Sequence, residues 1–259
     1  MTAPLLFIAK LALVAVTVWL ASFVARRFGH ATGGVLAGLP MNVGPITAIL
    51  LIDLPTEVVR NVCLATLACQ PALMVYLIGC AHLARRFPWW VCLFGALAAF
   101  TAVGFLLLTL NLPKWASVLL AVSSPWWGAL AIAAIHRSAP SGQVALPTVE
   151  LVARMVVAVA VAAGVMAGAS QLRPDLAGLL LAAPIAGIVL PAFTLSQHGK
   201  DATVQLISGF IRGQLGFVAF LVILVCALPL MPAPWAWLLA MSSPALLYAK
   251  WSNVIGKFR

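Results

Sequence analysis

The stretch GGVLAGLPMNVGP, residues 33–45, decides how this chain is read. Six of its 13 residues are Gly or Pro. Glycine weakens a helix, and proline removes a backbone donor and clashes with the preceding turn. Yet the surrounding run, residues 31–52, is apolar and long enough to span a bilayer, which takes about 20 such residues. In hydrocarbon, a backbone group without a partner costs several kcal/mol. A break there is tolerable only where protein or water encloses it. The stretch therefore predicts an interrupted spanning helix that lines an internal space.

Composition agrees with a membrane setting. The chain has 259 residues, of which 64% are hydrophobic and 8% charged, against about 25% charged in a soluble domain. Mean hydropathy is +1.13. No polar stretch exceeds a loop, so a single transmembrane domain, 1–259, is expected. The first apolar run lacks a basic leader and a small-residue cleavage site, and reads as a retained span. The net charge of +10 does not point to nucleic acid, because the basic residues cluster at the ends of apolar runs, where they orient the helices. The five cysteines (63, 69, 80, 92 and 226) have no metal-type spacing and read as small core residues.

Nine spans are expected, at 4–24, 31–52, 57–84, 88–110, 114–135, 148–171, 174–196, 202–229 and 233–250. With the N-terminus outside and the C-terminus cytoplasmic, the inner loops carry Arg26, Arg27, Arg85, Arg86, Arg137, Lys200, Lys250, Lys257 and Arg259. The outer loops then carry Arg60, Lys114 and Arg173. That is the positive-inside pattern of a multi-pass protein of a bacterial inner membrane. Trp89, Trp90 and Trp251 fall at the inner boundary, and Trp115, Trp235 and Trp237 at the outer one.

The chain also resembles itself. LLAVSSP (119–125) recurs as LLAMSSP (238–244). A second set runs at a constant offset of 144: Lys10 with Arg154, Gly34 with Gly178, GVLAGLP (34–40) with GLLLAAP (178–184), Glu57 with Asp201, and Gln70 with Gln214. These matches divide the chain into repeat one, 1–137, and repeat two, 146–259, joined by a cytoplasmic linker, 138–145. The first repeat carries an additional span, about 88–110. An odd number of spans in that repeat makes the second start from the opposite side, so the repeats are inverted. The fold class expected is an all-α bundle of two inverted repeats with proline- and glycine-broken helices. Secondary transporters commonly have this architecture, with the substrate at the midplane between repeats. The hinge candidates are Gly38, Pro40, Gly44 and Pro45, then Pro184, Gly187 and Pro191, and the SSP prolines Pro125 and Pro244. A plainer reading of the glycines is close helix packing. For the SSP serines it is a bond to a carbonyl freed by the proline.

Ionisable residues inside a membrane are functional candidates. Arg212 lies about ten residues inside its span, and none of the five acids is its deep neighbour by position. It is the candidate contact for an anionic group, with freed backbone carbonyls as the alternative partner. Gln70, Gln214, Asn42, Ser123, Ser124, Ser242 and Ser243 are the candidate polar lining. Lys10 and Arg154, two turns inside opposite leaflets, read as boundary residues whose heads reach the interface. His30, His82, His136 and His198 fall near inner ends, and no metal or proton role is assigned to them.

LAGLPMNVGPITAIL, followed by the span with Gln70 and Pro71, resembles the GlpM family of bacterial inner-membrane proteins, over residues 31–85 and more faintly 174–230. The resemblance rests on Ala37, Gly38, Leu39, Pro40 and Pro45. It implies a fused duplication of a half-size unit and an association with envelope polysaccharide. The chain departs from that pattern at Asn42, at Arg212 and in its additional span.

No HExxH, GxSxG or aspartate-rich pair is present, and no enzyme, catalytic residue, cofactor or metal is expected. The functional expectation is a secondary transporter of a small anionic or lipid-linked solute, working by alternating access. The alternatives are a lipid or lipid-carrier flippase, a non-transporting subunit of an envelope polysaccharide complex and, last, an intramembrane enzyme. Expected partners are the substrate, membrane lipids and, for the assembly, a homodimer; nucleic acid is not among them.

Overall fold

A computed structural model of the chain describes residues 3–41, 43–110, 112–135, 148–169 and 185–256. Among them there are helices and turns and no strand. The order is α1 (Ala3–Phe28), α2 (His30–Gly38), α3 (Val43–Asp53), α4 (Thr56–Ala68), α5 (Gln70–Leu83), α6 (Trp89–Leu110), α7 (Lys114–Ala133), α8 (Thr148–Ala169), α9 (Ile185–Ala227) and α10 (Ala233–Gly256). Four helical stretches are long and apolar enough to cross a membrane: Thr56–Leu83, Trp89–Leu110, Lys114–Ala133 and Ala186–Ala227. The expected linker 138–145, Asn42, Gly178 and Pro184 lie outside the described residues.

The last of those stretches has 42 residues. Drawn straight it would be about 63 Å long, twice the ~30 Å hydrocarbon layer. It is folded instead. Gly199 has φ 79° and ψ −176°, a conformation essentially reserved for glycine, and it separates two arms, 185–198 and 200–227. Tyr76 meets Gly187 and Arg85 meets Asp201, so the first arm runs beside α5 in the same direction. The second arm returns. Gly29, φ 90° and ψ 164°, makes a similar one-residue turn between α1 and α2.

The quoted stretch is interrupted, as its composition requires, but only in its second half. Leu39 is extended (φ −74°, ψ 162°) and helix resumes at Val43. The freed groups are met locally. The Leu39 N–H donates to the Leu36 carbonyl, and the Gly44 N–H to Pro40 at 2.8 Å. The Trp237 indole donates to the Gly44 carbonyl at 2.8 Å. Pro45 falls in the first turn of α3, where its missing N–H is no loss.

Glycines in the first half of the stretch serve packing. A Cβ on Gly34 or Gly38 would run into the Leu206 or Phe210 carbonyl, and one on Gly209 or Gly213 into the carbonyl of Ala31 or Val35. The two GxxxG-type faces thus bring the backbones of α2 and the second α9 arm together, a contact only small residues allow. Gly38, the last residue of α2, thus packs against the second α9 arm. Gly44 is also packed, against the Met241 sulfur.

Prolines inside helices leave the carbonyl four residues back without its donor. Here, side chains replace that donor. Ser124 donates to Ala121, freed by Pro125, and Ser243 to Ala240, freed by Pro244, both at 2.7 Å. The Tyr76 hydroxyl donates to Gly187, freed by Pro191, at 2.9 Å. Arg60 Nε donates to Val225, freed by Pro229, at 3.2 Å. Each bond removes a cost of roughly 1–3 kcal/mol for a buried unmet acceptor.

Apolar side chains gather in two clusters. Leu73, Met74, Leu77, Ile207 and Ile211 belong to one, and Val59, Leu67, Val218, Leu221 and Leu224 to the other. Between these groups lie Gln70 and Gln214.

Candidate functional site

The two glutamines meet. Gln70 Nε2 donates to Gln214 Oε1 at 2.9 Å, and the residues are 2% and 3% exposed. Gln70 opens α5 just after Cys69, and Gln214 lies in the second α9 arm. These helices run antiparallel, because Met74 and Ile211 both reach Gly128, one turn from the glutamines. The pair is thus a short polar bridge across an apolar interface, and each amide keeps unused donor and acceptor capacity.

Arg212 is not part of that bridge. It is two residues from Gln214, on the far side of the same helix, since positions i and i+2 do not share a face. It is exposed, whereas Gln214 is buried. Its own side of the arm borders the interruption: the adjacent Gly213 touches Gly38, and Gly216, one turn on, touches Leu39 and Pro244. Lying 13 residues past the turn at Gly199, Arg212 is about 20 Å from it along the arm, near the arm's middle. Arg212 already has an interaction within the fold, so an unmet charge is not the ground for giving it a ligand. Sequence spacing placed Arg212 and Gln214 in one site; helix geometry puts them on opposite faces.

The four SSP serines are also committed. Ser124 and Ser243 are buried and close the proline gaps. Ser123 and Ser242 are exposed and donate to the Leu120 and Leu239 carbonyls at 3.1 and 2.7 Å. Their donors serve their own helices, which is the plainer of the two sequence readings. Pro191 lines a narrow crevice, with no room for a water molecule, together with Tyr76, Cys80, Trp89, Cys92 and Leu195, away from the other candidate ligands. The five cysteines are free thiols, four buried and Cys226 exposed.

A second polar group was missed by the sequence reading. Arg154 is 1% exposed and does not reach an interface. Its Nε and Nη2 donate to Glu150 Oε1 at 3.0 and 2.6 Å. Its guanidinium sits over the Phe193 ring at 5.7 Å, and Thr194 lies 3.5 Å from Nη2. His198 Nε2 is 3.6 Å from the same Glu150 oxygen. His30 and His198 face each other with ring centroids 5.0 Å apart. The available signal was the i,i+4 spacing of Glu150 and Arg154, which puts a carboxylate on the face of the buried cation. His30 and His198 are 168 residues apart, and nothing in the sequence joins them. Among the described residues, no group of three His, Cys, Asp or Glu is arranged to hold a metal ion.

Comparison with family models, curated proteins and solved structures returns no match. The functional reading rests on geometry and chemistry alone.

Proposed function

We propose that the chain is a multi-pass secondary transporter of a small anionic or lipid-linked solute, built as two inverted repeats around the Gln70–Gln214 bridge. One observation carries the reading. Residues matched at the 144 offset bond to each other across antiparallel helices. Two positions exchanged by a twofold operation can touch only beside its axis. An antiparallel contact of this kind fits an axis in the plane of the membrane, the symmetry of inverted-repeat carriers. Glu57 and Asp201 fit the same operation: each stands in the first turn of its helix, Glu57 3.5 Å from Arg60 and Asp201 paired with Arg85.

On that axis, α6 corresponds to α10 at the same offset, and α7 becomes the additional helix, instead of the span at 88–110. The SSP correspondence between α7 and α10 belongs to a different relation. Both helices run opposite to the second α9 arm, with Ala121 and Ala240 packed in its Val218–Leu228 cluster. Gly128 and Pro244 lie lower, beside Ile211 and Gly216. They are therefore parallel to each other.

The anionic class is supported by Arg212. A guanidinium exposed near the middle of a spanning arm faces lipid or a watery crevice, and lipid is the costly choice. Its neighbours lie against the end of α2, where the backbone is broken. A half-size GlpM-like unit, duplicated and fused, is consistent with this reading. The flippase alternative shares the site and differs in keeping the substrate's tail in the membrane.

The test is uptake by vesicles reconstituted with the purified chain, using labelled inorganic phosphate, a four-carbon dicarboxylate and glycerol phosphate as probes. Uptake of one probe, lost on Arg212→Gln and retained on Lys10→Gln, supports the reading. No uptake of any probe, or equal loss in both variants, removes the carrier assignment. Scrambling of a fluorescent phospholipid in the absence of uptake would move it to the flippase.

A further inference from the structure

We propose that Glu150, Arg154, His198 and His30 form a one-proton binding site where α8 meets the two one-glycine turns. The group is balanced as it stands: one guanidinium, one carboxylate and two neutral rings. A single carboxylate oxygen, Glu150 Oε1, faces Arg154 and His198 together. Yet two ring nitrogens, His30 Nδ1 and His198 Nε2, are buried with no hydrogen-bond partner among the described residues, and His30 is only 7% exposed. Two unmet nitrogens in one pocket leave a standing deficit. A proton meets it: an imidazolium at either ring is a donor toward the carboxylate or toward the other ring. Histidine is the side chain suited to such a change near neutral pH.

Only one proton fits. Two imidazolium rings 5.0 Å apart beside a guanidinium would repel strongly in a buried setting. A metal ion is a poor competitor, because Arg154 occupies the carboxylate. The charges facing the rings are Glu150 and Arg154 from α8, and each ring faces the other from α2 and the first α9 arm. Arg26 and Arg27, at the end of α1, are exposed. Lys200 and the Asp201–Arg85 pair lie past the Gly199 turn.

The position gives the proton a lever. His30 follows Gly29 and His198 precedes Gly199, the two positive-φ turns. A change in the charge of one ring acts directly where the α1–α2 turn and the α9 turn touch, and on α8 through Glu150. In the carrier reading, on which this last step alone rests, the proton is the coupling ion at the inner end.

The site is tested without transport by nitrogen NMR of ¹⁵N-histidine-labelled protein in nanodiscs, titrated through pH 4–9. The expected result is that His30 and His198 titrate as a coupled pair. His198→Gln then displaces the His30 midpoint by about one pH unit or more, Glu150→Gln displaces both, and His82 does not move. Independent titration of His30 and His198, unaffected by either variant, overturns the proposal. Should Glu150→Gln fail to fold, the Glu150→Gln/Arg154→Gln double variant replaces it, with the same expectation. In vesicles, a pH gradient should alter uptake by the wild-type chain about tenfold and by His198→Gln hardly at all. Coupled titration with no uptake of any probe leaves the proton site standing and removes the carrier. Uptake indifferent to the gradient in the wild type removes the coupling step.

Discussion

The centre of the molecule and its buried charged end solve the same problem in opposite ways. At the centre, Gln70 and Gln214 are neutral, bonded to each other and surrounded by apolar clusters. At the end, Arg154 and Glu150 are charged, and one ring nitrogen of each histidine beside them has no hydrogen-bond partner among the described residues. A neutral pair costs little to bury once bonded, and it holds helices in register. A charged group with open valences is expensive to bury, and it is poised to change state. The two central residues match each other across the repeat; of the four at the end, only Arg154 has a match, Lys10.

That contrast breaks first at Arg154. Arg154→Gln strands the Glu150 carboxylate, and the expected loss is about 3–5 kcal/mol of unfolding free energy in mixed micelles. Adding Glu150→Gln should restore most of it. A loss smaller than that of Gln70→Leu would reverse the comparison. Next comes the crossing that frames the centre. Gly209→Val drives a side chain into the Ala31 carbonyl and should cost roughly 3 kcal/mol, measured the same way. A tolerated valine would show that the α2 and α9 backbones are not in contact.

The bridge itself should be worth less. Gln70→Leu leaves Gln214 unpaired, at about 1–3 kcal/mol, while the Gln70→Leu/Gln214→Leu pair should return close to wild type. A double-mutant cycle with no coupling would separate the two glutamines and undo the axis argument. The smallest effect sharpens the proline account. Ser124→Ala and Ser243→Ala should each cost about 1 kcal/mol, and Ser123→Ala, whose target carbonyl keeps its helical donor, less than about 0.5 kcal/mol.

Much of the fold was legible in the sequence because its signals are local. The apolar runs gave the helices, and the expected boundary between 174–196 and 202–229 falls on the Gly199 turn. The run 33–45 did mark an interruption, at 39–41 among the described residues. Its glycines were ambiguous, because the same residue suits a bend and a close crossing, and only the partner helix decides between them. Gly34 and Gly38 became packing residues when Gly209 and Gly213 arrived opposite. The serines of the repeated SSP were equally undecided until their bonds showed that they serve the freed carbonyls.

The candidate site was legible in part. The matched glutamines, 144 residues apart, were found by offset alone, and they touch. Arg212 does lie near the middle of its helical arm, but linear spacing cannot say which side of a helix a neighbour faces. Arg154 was misread as a boundary residue. Depth along a helix suggests that a side chain can reach the interface, but only packing shows whether it does.

By itself, the sequence determined the solvent, the helices, the places where they break and an internal likeness between the halves. All of these follow from composition and short-range order, which a chain carries in any conformation. The tertiary structure decided which residues are partners: glutamine with glutamine, glycine face with glycine face, tyrosine and arginine with carbonyls freed far along the chain, and one histidine with a carboxylate and a second histidine. Such pairings depend on how folded segments approach one another in space, and separation along the chain does not encode that approach.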